Sequence, residues 1–169
     1  MSLLSIVKVG HPILRQKTAR VERIDETLQQ TVIDMFHTMY AAPGIGLAAN
    51  QVGLSLCLAV IDLMPGKQRK PMVLINPSID ERHGSVVEDE GCLSIPGFSA
   101  RVKRSSKVRV TALNENGLPI EIEAEGLLAR CLQHEIDHLN GKLYIDRLPL
   151  VQRLRLKRQI KKRKKSGIF

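Results

Sequence analysis

A single α+β domain is predicted from three features of this chain. Its 169 residues can form one hydrophobic core, which must rely on aliphatic side chains because the chain has only two Tyr, three Phe and no Trp. Helical spacing of apolar residues behind a capping Asp25 predicts a helix over residues 25–41. Short segments with strand character follow, and connections such as residues 114–117, N-E-N-G, are typical of hairpins. Hairpin connections favour antiparallel pairing.

The expected strands cover residues 56–62, 72–76, 84–88, 107–113 and 120–124. A second helix is expected over residues 126–140, and a basic helix or tail should end the chain. We expect the mostly antiparallel strands to pack around the second helix.

This second helix contains the sequence His134-Glu135-Ile136-Asp137-His138, an H-E-x-x-H pattern. Residues four apart share a helix face, so both imidazoles can bind one metal ion while Glu135 stands beside it as a general base. The alternative is a surface helix that carries two histidines by chance. A hydrolytic metal site therefore needs a third protein ligand, which decides between the two.

The third ligand is expected upstream of the helix. Tyr144 occupies the position at which one class of metalloprotease has its third histidine, and Asp146 is the only later carboxylate. Among the three cysteines, Cys131 lies too far along the helix axis to reach a metal between the histidines, and Cys57 lies in an apolar run typical of a buried strand. Cys92, flanked by acids and a glycine, is the best thiolate donor available.

Residues 44–51 read G-I-G-L-A-A-N-Q and imitate a dinucleotide-binding fingerprint. That fingerprint requires a strand before it and a helix after it, whereas here the order is reversed. The glycines instead indicate a backbone that lies close to a substrate, with Gln51 as an amide donor.

Together these segments resemble the polypeptide deformylases, which remove the formyl group from the N-terminal formyl-methionine of new chains. The family's three motifs, G-x-G-x-A-A-x-Q, E-G-C-x-S and H-E-x-D-H, match residues 44–51, 90–94 and 134–138 in that order. The resemblance extends from about Ile6 to Asp146.

The resemblance implies that Cys92, His134 and His138 bind one divalent metal ion per chain. Iron(II) is the metal that the family usually uses, and zinc, nickel or cobalt can take its place. It further implies that Glu135 moves the proton of the attacking water to the leaving amine. Gln51 and the backbone amide of Leu93 would donate hydrogen bonds to the oxyanion.

The resemblance also implies a substrate site. Ile45, Leu127 and Cys131 would form an apolar slot for the methionine side chain, and Gly46 would meet the peptide backbone. Ordinary core packing is the alternative for the three apolar residues.

Two positions depart from expectation. Many family members have an arginine near Ser99 that helps to hold the substrate backbone, so either Arg101 replaces it or the contact is missing. Arg130 is polar where an apolar neighbour of the metal site is expected, and we predict that it faces solvent.

Charge is concentrated at the end of the chain. There are 26 Lys and Arg against 17 Asp and Glu, and residues 147–169 contain ten of the basic residues and no acid, which leaves 16 against 17 in residues 1–146. We therefore expect a catalytic domain over residues 1–146 and a basic helix and tail over residues 147–169. Leu150, Val151 and Leu154 form a weak apolar stripe, and residues 161–165 should be mobile beyond the helix.

We interpret this tail as a ribosome-docking segment, since Lys and Arg bind RNA phosphates and the family acts on chains that emerge from the ribosome. The alternative is a solvated end without a function. The expected RNA contacts are Arg153, Arg155, Lys157, Arg158, Lys161 and Lys162.

The expected partners are formyl-methionyl nascent peptides and the ribosome. A cytoplasmic location is expected, because an odd number of cysteines argues against a disulfide framework and no apolar run approaches membrane-spanning length or resembles a signal segment. We also expect a monomer. Two other functions stay open: a metallopeptidase, favoured if Tyr144 or Asp146 were a ligand, and an inactive ribosome-associated or RNA-associated protein.

Overall fold

The computed structural model describes residues 2–63 and 69–167. Three α-helices are present in them: α1 (Glu26–Ala41), α2 (Gly126–Leu139) and α3 (Leu150–Lys165). The strands are β1 (Gly46–Ala48), β2 (Leu58–Ile61), β3 (Met72–His83), β4 (Val86–Gly91), β5 (Ser99–Arg104), β6 (Lys107–Leu113) and β7 (Pro119–Glu125). Short 3-10 helices cover Pro12–Arg15, Ala49–Val52 and Tyr144–Arg147.

The strands form two antiparallel sheets, which confirms the predicted α+β class. The larger sheet has the order β1-β2-β3-β6-β7, and the smaller one pairs β4 with β5. Both helices predicted from periodicity are present, and the carboxylate of Asp25 caps α1 by accepting from the Leu28 amide at 3.0 Å.

Two strands were missed, and a third is longer than predicted. β1 lies within the glycine-rich segment, and β5 is strongly basic, with only Ala100 and Val102 to indicate a strand. β3 continues past Pro77, where the prediction stopped, because a register irregularity between Ile75 and Ser78 accommodates the proline.

The larger sheet lies between α1 and α2. Along β2, Leu58 and Val60 belong to the cluster around α1, whereas Ala59 and Ile61 belong to the cluster around α2. Successive side chains of a strand point to opposite faces, so the two helices cover opposite faces of the sheet. The metal-motif helix is thereby central, as predicted.

The basic helix α3 differs from its prediction in two ways. It packs through Leu156 and Ile160, while the expected stripe of Leu150, Val151 and Leu154 is exposed. The run 161–165, predicted to be mobile beyond the helix, lies within it. Lys and Arg are good helix formers, and no glycine interrupts the helix before position 167.

None of the helices in residues 2–63 and 69–167 combines the length and the apolar character that crossing a membrane requires.

Candidate metal centre and active site

Three side chains predicted as metal ligands converge. Cys92 follows β4, while His134 and His138 lie one turn apart on α2. The Sγ of Cys92 lies 3.2 Å from Nε2 of His138, which lies 3.2 Å from Nε2 of His134. One donor atom from each residue falls within 4.8 Å of the others, and both histidines are buried.

The donor set fits a divalent metal ion. In a tetrahedral site with metal–nitrogen distances of about 2.0–2.1 Å, two nitrogen ligands lie roughly 3.4 Å apart, and a thiolate lies about 3.6 Å from each. The observed separations of 3.2 Å are close to these values. A thiolate and two imidazoles suit zinc, iron, nickel and cobalt alike.

Glu90 orients the first histidine. Its Oε1 accepts a hydrogen bond from Nδ1 of His134 at 2.5 Å. In the neutral ring this bond places the one proton on Nδ1, so that Nε2, which lies in the ligand cluster, can bind a metal. Burial alone raises the pKa of Glu90, but the hydrogen bonds from His134 and Arg104 outweigh it and hold the pKa well below its usual range. Glu90 therefore remains an anion next to the site.

Buried ion pairs connect Glu90 to the far end of α2. Arg104 donates to both oxygens of Glu90, at 2.5 and 3.0 Å, and to Oδ2 of Asp137 at 2.5 Å. Asp137 also accepts two bonds from Arg147, at 2.5 and 3.0 Å. Despite burial, these arginines keep the pKa of Asp137 below its usual value. The network fixes both ends of the metal-binding turn.

Arg130 belongs to this network, and the prediction that it faces solvent was wrong. Its residue exposure is 5%. Its guanidinium donates to Glu88 at 3.1 Å, to Glu90 at 2.9 Å and to the Val102 carbonyl at 3.3 Å. The sequence suggested solvent because the acids that bind Arg130 lie 40 residues earlier in the chain.

Glu135, the predicted base, is buried beside the ligands. Burial raises the pKa of its carboxyl to about 7. Its Oε2 has no hydrogen-bond partner among the described residues, so this oxygen can take part in chemistry. A Cβ at Gly46 would overlap with Oε1 of Glu135 and lie 2.9 Å from Sγ of Cys131, so a side chain at position 46 would displace the carboxylate.

Gln51 and Leu93 lie next to Cys92. The amide oxygen of Gln51 accepts from the Ala48 backbone at 2.9 Å, which directs Nε2 toward Sγ of Cys92 at 3.5 Å and Oγ of Ser94 at 3.2 Å. The carbonyl of Leu93 accepts from Nζ of Lys8 at 3.0 Å. Lys8, which the sequence did not indicate, thus contacts the backbone on the far side of Leu93 from its amide.

A cleft of about 780 Å³ opens onto these groups, and its walls include the predicted substrate residues Ile45, Gly46, Leu127 and Cys131. Leu127 is half exposed, and Cys131 is buried, which raises the pKa of its thiol well above the ordinary value. Cys131 therefore stays a neutral, apolar wall.

Ser99 and Arg101 are the two residues near the position of the family's substrate-holding arginine, and the structure places them differently. Ser99 lines the cleft. Arg101 is not among the cleft's lining residues, and its guanidinium donates to the Val87 carbonyl at 3.2 Å. Its guanidinium is thus engaged with the backbone of β4 in this structure.

The other potential ligands are engaged elsewhere. The hydroxyl of Tyr144 donates to the Phe98 carbonyl at 3.2 Å, and Asp146 pairs with Arg15. Cys57, expected to be a buried thiol, is half-buried in the strand region away from the ligand cluster. The ligand arrangement of the alternative peptidase is therefore absent from the described part of the chain.

Among the predicted RNA contacts on α3, Arg153 is half-buried and the other five side chains are exposed. The five form a basic outer face of the helix: Arg155, Lys157, Arg158, Lys161 and Lys162.

Comparison with known proteins agrees with this geometry. The family model described as polypeptide deformylase matches residues 3–154. A peptide deformylase of Syntrophobacter fumaroxidans is 51% identical over 168 residues, covering 99% of both chains, and that of Alkalilimnicola ehrlichii is 47% identical over 167 residues, covering 99% of this chain and 94% of the relative. The crystal structure of a peptide deformylase from Legionella pneumophila superposes with a TM-score of 0.92 at 46% identity, covering 99% of this chain and 98% of the other. The structure of the Synechococcus elongatus enzyme in complex with actinonin matches with a TM-score of 0.86 at 49% identity, covering 89% of this chain and 83% of that one. The chain therefore belongs to the polypeptide deformylase family.

Proposed function

We propose that this protein is a metal-dependent hydrolase that removes the formyl group from the N-terminal formyl-methionine of nascent polypeptides and releases formate. The observation that carries the proposal is the convergence of Cys92, His134 and His138 within 4.8 Å, beside a buried Glu135 at the base of a cleft. The family membership supports the choice of substrate.

Cys92, His134 and His138 would hold one divalent metal ion per chain. We propose iron(II) as the physiological ion on the basis of the family resemblance, with zinc, nickel or cobalt as substitutes that the same donors accept. When bound, such an ion supplies Lewis acidity, which polarises a carbonyl oxygen and lowers the pKa of water.

Glu135 would move the proton. Its carboxylate accepts a proton from the attacking water as the oxygen bonds to the formyl carbon, and then passes that proton to the methionine nitrogen as the carbon–nitrogen bond breaks. The products balance as formate and a free amino terminus. The unpartnered Oε2 of Glu135 supports this role.

Gln51 and Leu93 would stabilise the oxyanion that forms during the attack. The Nε2 of Gln51 is already directed to Cys92, and the Leu93 peptide directly follows that ligand. Both donors are held by contacts made before substrate arrives: the Ala48 amide binds the side-chain oxygen of Gln51, and the Ile95 amide donates at 2.9 Å to the Cys92 carbonyl, which shares a peptide unit with the Leu93 amide. Preorganised donors of this kind stabilise developing charge without reorganising during the reaction.

The substrate would enter the cleft with its methionine side chain against Ile45, Leu127 and Cys131. Gly46 lines the same cleft, and the backbone of the substrate would lie along it. A formyl group is the smallest acyl group, and a narrow approach to the ligand cluster favours it over larger ones.

The protein is proposed to act as a cytoplasmic monomer, with a catalytic unit over residues 1–146.

The basic outer face of α3 is proposed to dock on ribosomal RNA. Positive side chains gain affinity for RNA by releasing counterions from phosphates. Co-sedimentation with ribosomes across a salt series tests the docking. Replacing Arg155, Arg158 and Lys162 together by Gln should lower the slope of log affinity against log salt by about two to three if each contacts a phosphate. Equal binding at every salt would indicate a merely solvated face.

Formate release from formyl-Met-Ala-Ser tests the catalytic proposal. Protein purified without oxygen and loaded with iron(II) or nickel should release formate, and a chelator should abolish the release. Cleavage of an internal peptide bond in place of formate release would favour a peptidase, and the absence of both activities would favour an inactive RNA-associated protein.

A further inference from the structure

The far end of α3 contacts a wall of the active-site cleft. Arg163 donates from Nη1 to the Gly97 carbonyl at 3.3 Å, and its guanidinium carbon lies 5.3 Å from the centre of the Phe98 ring. The second distance is within the range of cation–π attraction. Gly97 and Phe98 both line the cleft that contains Cys92 and Glu135.

This wall is held at two successive carbonyls. Arg163 binds the carbonyl of Gly97, and the Tyr144 hydroxyl binds that of Phe98 at 3.2 Å. Gly97 has a φ of +75°, and a Cβ at this glycine would lie 2.5 Å from Nη1 of Arg163. The guanidinium therefore packs directly against the turn.

Arg163 lies on the inward face of its helix. Leu156 and Ile160 of α3 are buried in a cluster with Ile95, and Phe98 packs partly against that cluster. Arg163 follows Ile160 by three residues and so continues the same face. It is half-buried, whereas the four lysines beside it in the run 161–165 are exposed. The sequence of this run does not distinguish Arg163, but its contacts do.

A second contact secures the same segment from the other end. Nζ of Lys164 donates to the Val9 carbonyl at 2.6 Å, and the Val9 amide donates to the Ser94 carbonyl at 2.9 Å. Arg163 thus contacts the end of residues 94–98 directly, and Lys164 supports their start through Val9; these residues connect Cys92 to β5.

We propose that Arg163 is a positioning residue for the peptide substrate. By fixing the Gly97 and Phe98 wall, it shapes the part of the cleft in which the substrate binds, without contact to the reacting atoms. This inference rests on the proposed deformylation. Residues 1–146 would contain all the reacting groups, and Arg163 would support a wall of their cleft from outside that unit, a role that is separate from RNA docking.

Replacing Arg163 by Ala should therefore raise KM more than it lowers kcat. Loss of a charge-assisted hydrogen bond and a cation–π contact at a half-exposed site should raise KM for formyl-Met-Ala-Ser about 3- to 10-fold, with kcat changed less than about 2-fold. Arg163→Lys should recover part of this loss, because lysine keeps the charge and one donor but not the planar stacking surface. Lys165→Ala is the matched control, since it removes one exposed charge from the same run.

Hydrogen exchange of the amides of residues 96–99 gives a readout that does not depend on activity. Protection should fall in Arg163→Ala and stay unchanged in Lys165→Ala, with the melting temperature showing that each variant is folded. Unchanged protection and KM in Arg163→Ala would overturn the inference, as would equal effects of the two substitutions. If even the unmodified protein released no formate, the proposed function would fail, and the exchange data alone would decide whether Arg163 restrains the wall.

Discussion

Replacing Arg104 by Met should destabilise the protein strongly, because it leaves two buried carboxylates without their shared cation. The Arg104 side chain is 2% exposed, and its partners Glu90 and Asp137 are 5% and 10% exposed. Removing one partner of a buried ion pair typically costs about 3–5 kcal/mol. Each carboxylate here keeps another arginine, Arg130 for Glu90 and Arg147 for Asp137, so the expected loss is about 3 kcal/mol, at the lower end of that range.

Thermal and urea denaturation of the metal-free protein measure this loss. For a chain of this size, about 3 kcal/mol corresponds to a fall in Tm of roughly 6–12 °C. Lys107→Met is the control, since Lys107 and Glu125 form an ion pair at 3.0 Å with side chains 65% and 74% exposed. An exposed pair contributes at most about 1 kcal/mol, so the control should change little.

The same substitution should weaken metal binding. Glu90 orients His134, and loss of such supporting partners typically lowers metal affinity about 10- to 100-fold. Competition with a chromophoric chelator, using zinc to avoid oxidation, measures this change. A loss of stability below about 1 kcal/mol together with unchanged zinc affinity would refute the account of the buried network.

Three further substitutions test individual roles. Glu135→Gln should keep stoichiometric metal and lower kcat about 10²- to 10⁴-fold, because an amide cannot accept the proton; undiminished formate release would remove Glu135 as the base. Gly46→Ala should also keep the metal but lose turnover, since the new methyl group overlaps with Oε1 of Glu135, and normal kinetics would show that the carboxylate can move without cost. Cys92→Ala should lose the metal, as measured by metal analysis, whereas Cys131→Ser should keep it; the reverse result would contradict the ligand assignment.

The sequence predicted the convergence of Cys92, His134 and His138 because the signals that mark these residues are local. His134 and His138 are one helical turn apart, and Cys92 is distinguished by its immediate neighbours, so short motifs were sufficient. The contacts around the cluster depend on tertiary structure. Arg104 binds Asp137, which lies 33 residues later in the sequence. No local sequence pattern predicts a contact over such a separation.

Arg130 shows how a local rule can fail. A charged residue on a helix usually faces water, but the fold brings Arg130 close to the buried Glu90 and to the exposed Glu88. The strand β5 was missed for a related reason. Its basic residues are typical of a solvated loop, and only its pairing with β4 places acidic residues beside them. The face of α3 that is buried also depends on tertiary packing, and the run of basic residues does not indicate which face that is.

The most direct test of the central claim is a metal titration followed by formate release. Metal-free protein is titrated with iron(II) in the absence of oxygen, and the initial rate on formyl-Met-Ala-Ser is recorded at each addition. We expect the rate to rise linearly and to reach its plateau at one metal ion per chain. Formate release that is independent of added metal, or its absence at one equivalent and beyond, would contradict the claim that Cys92, His134 and His138 form a catalytic metal site.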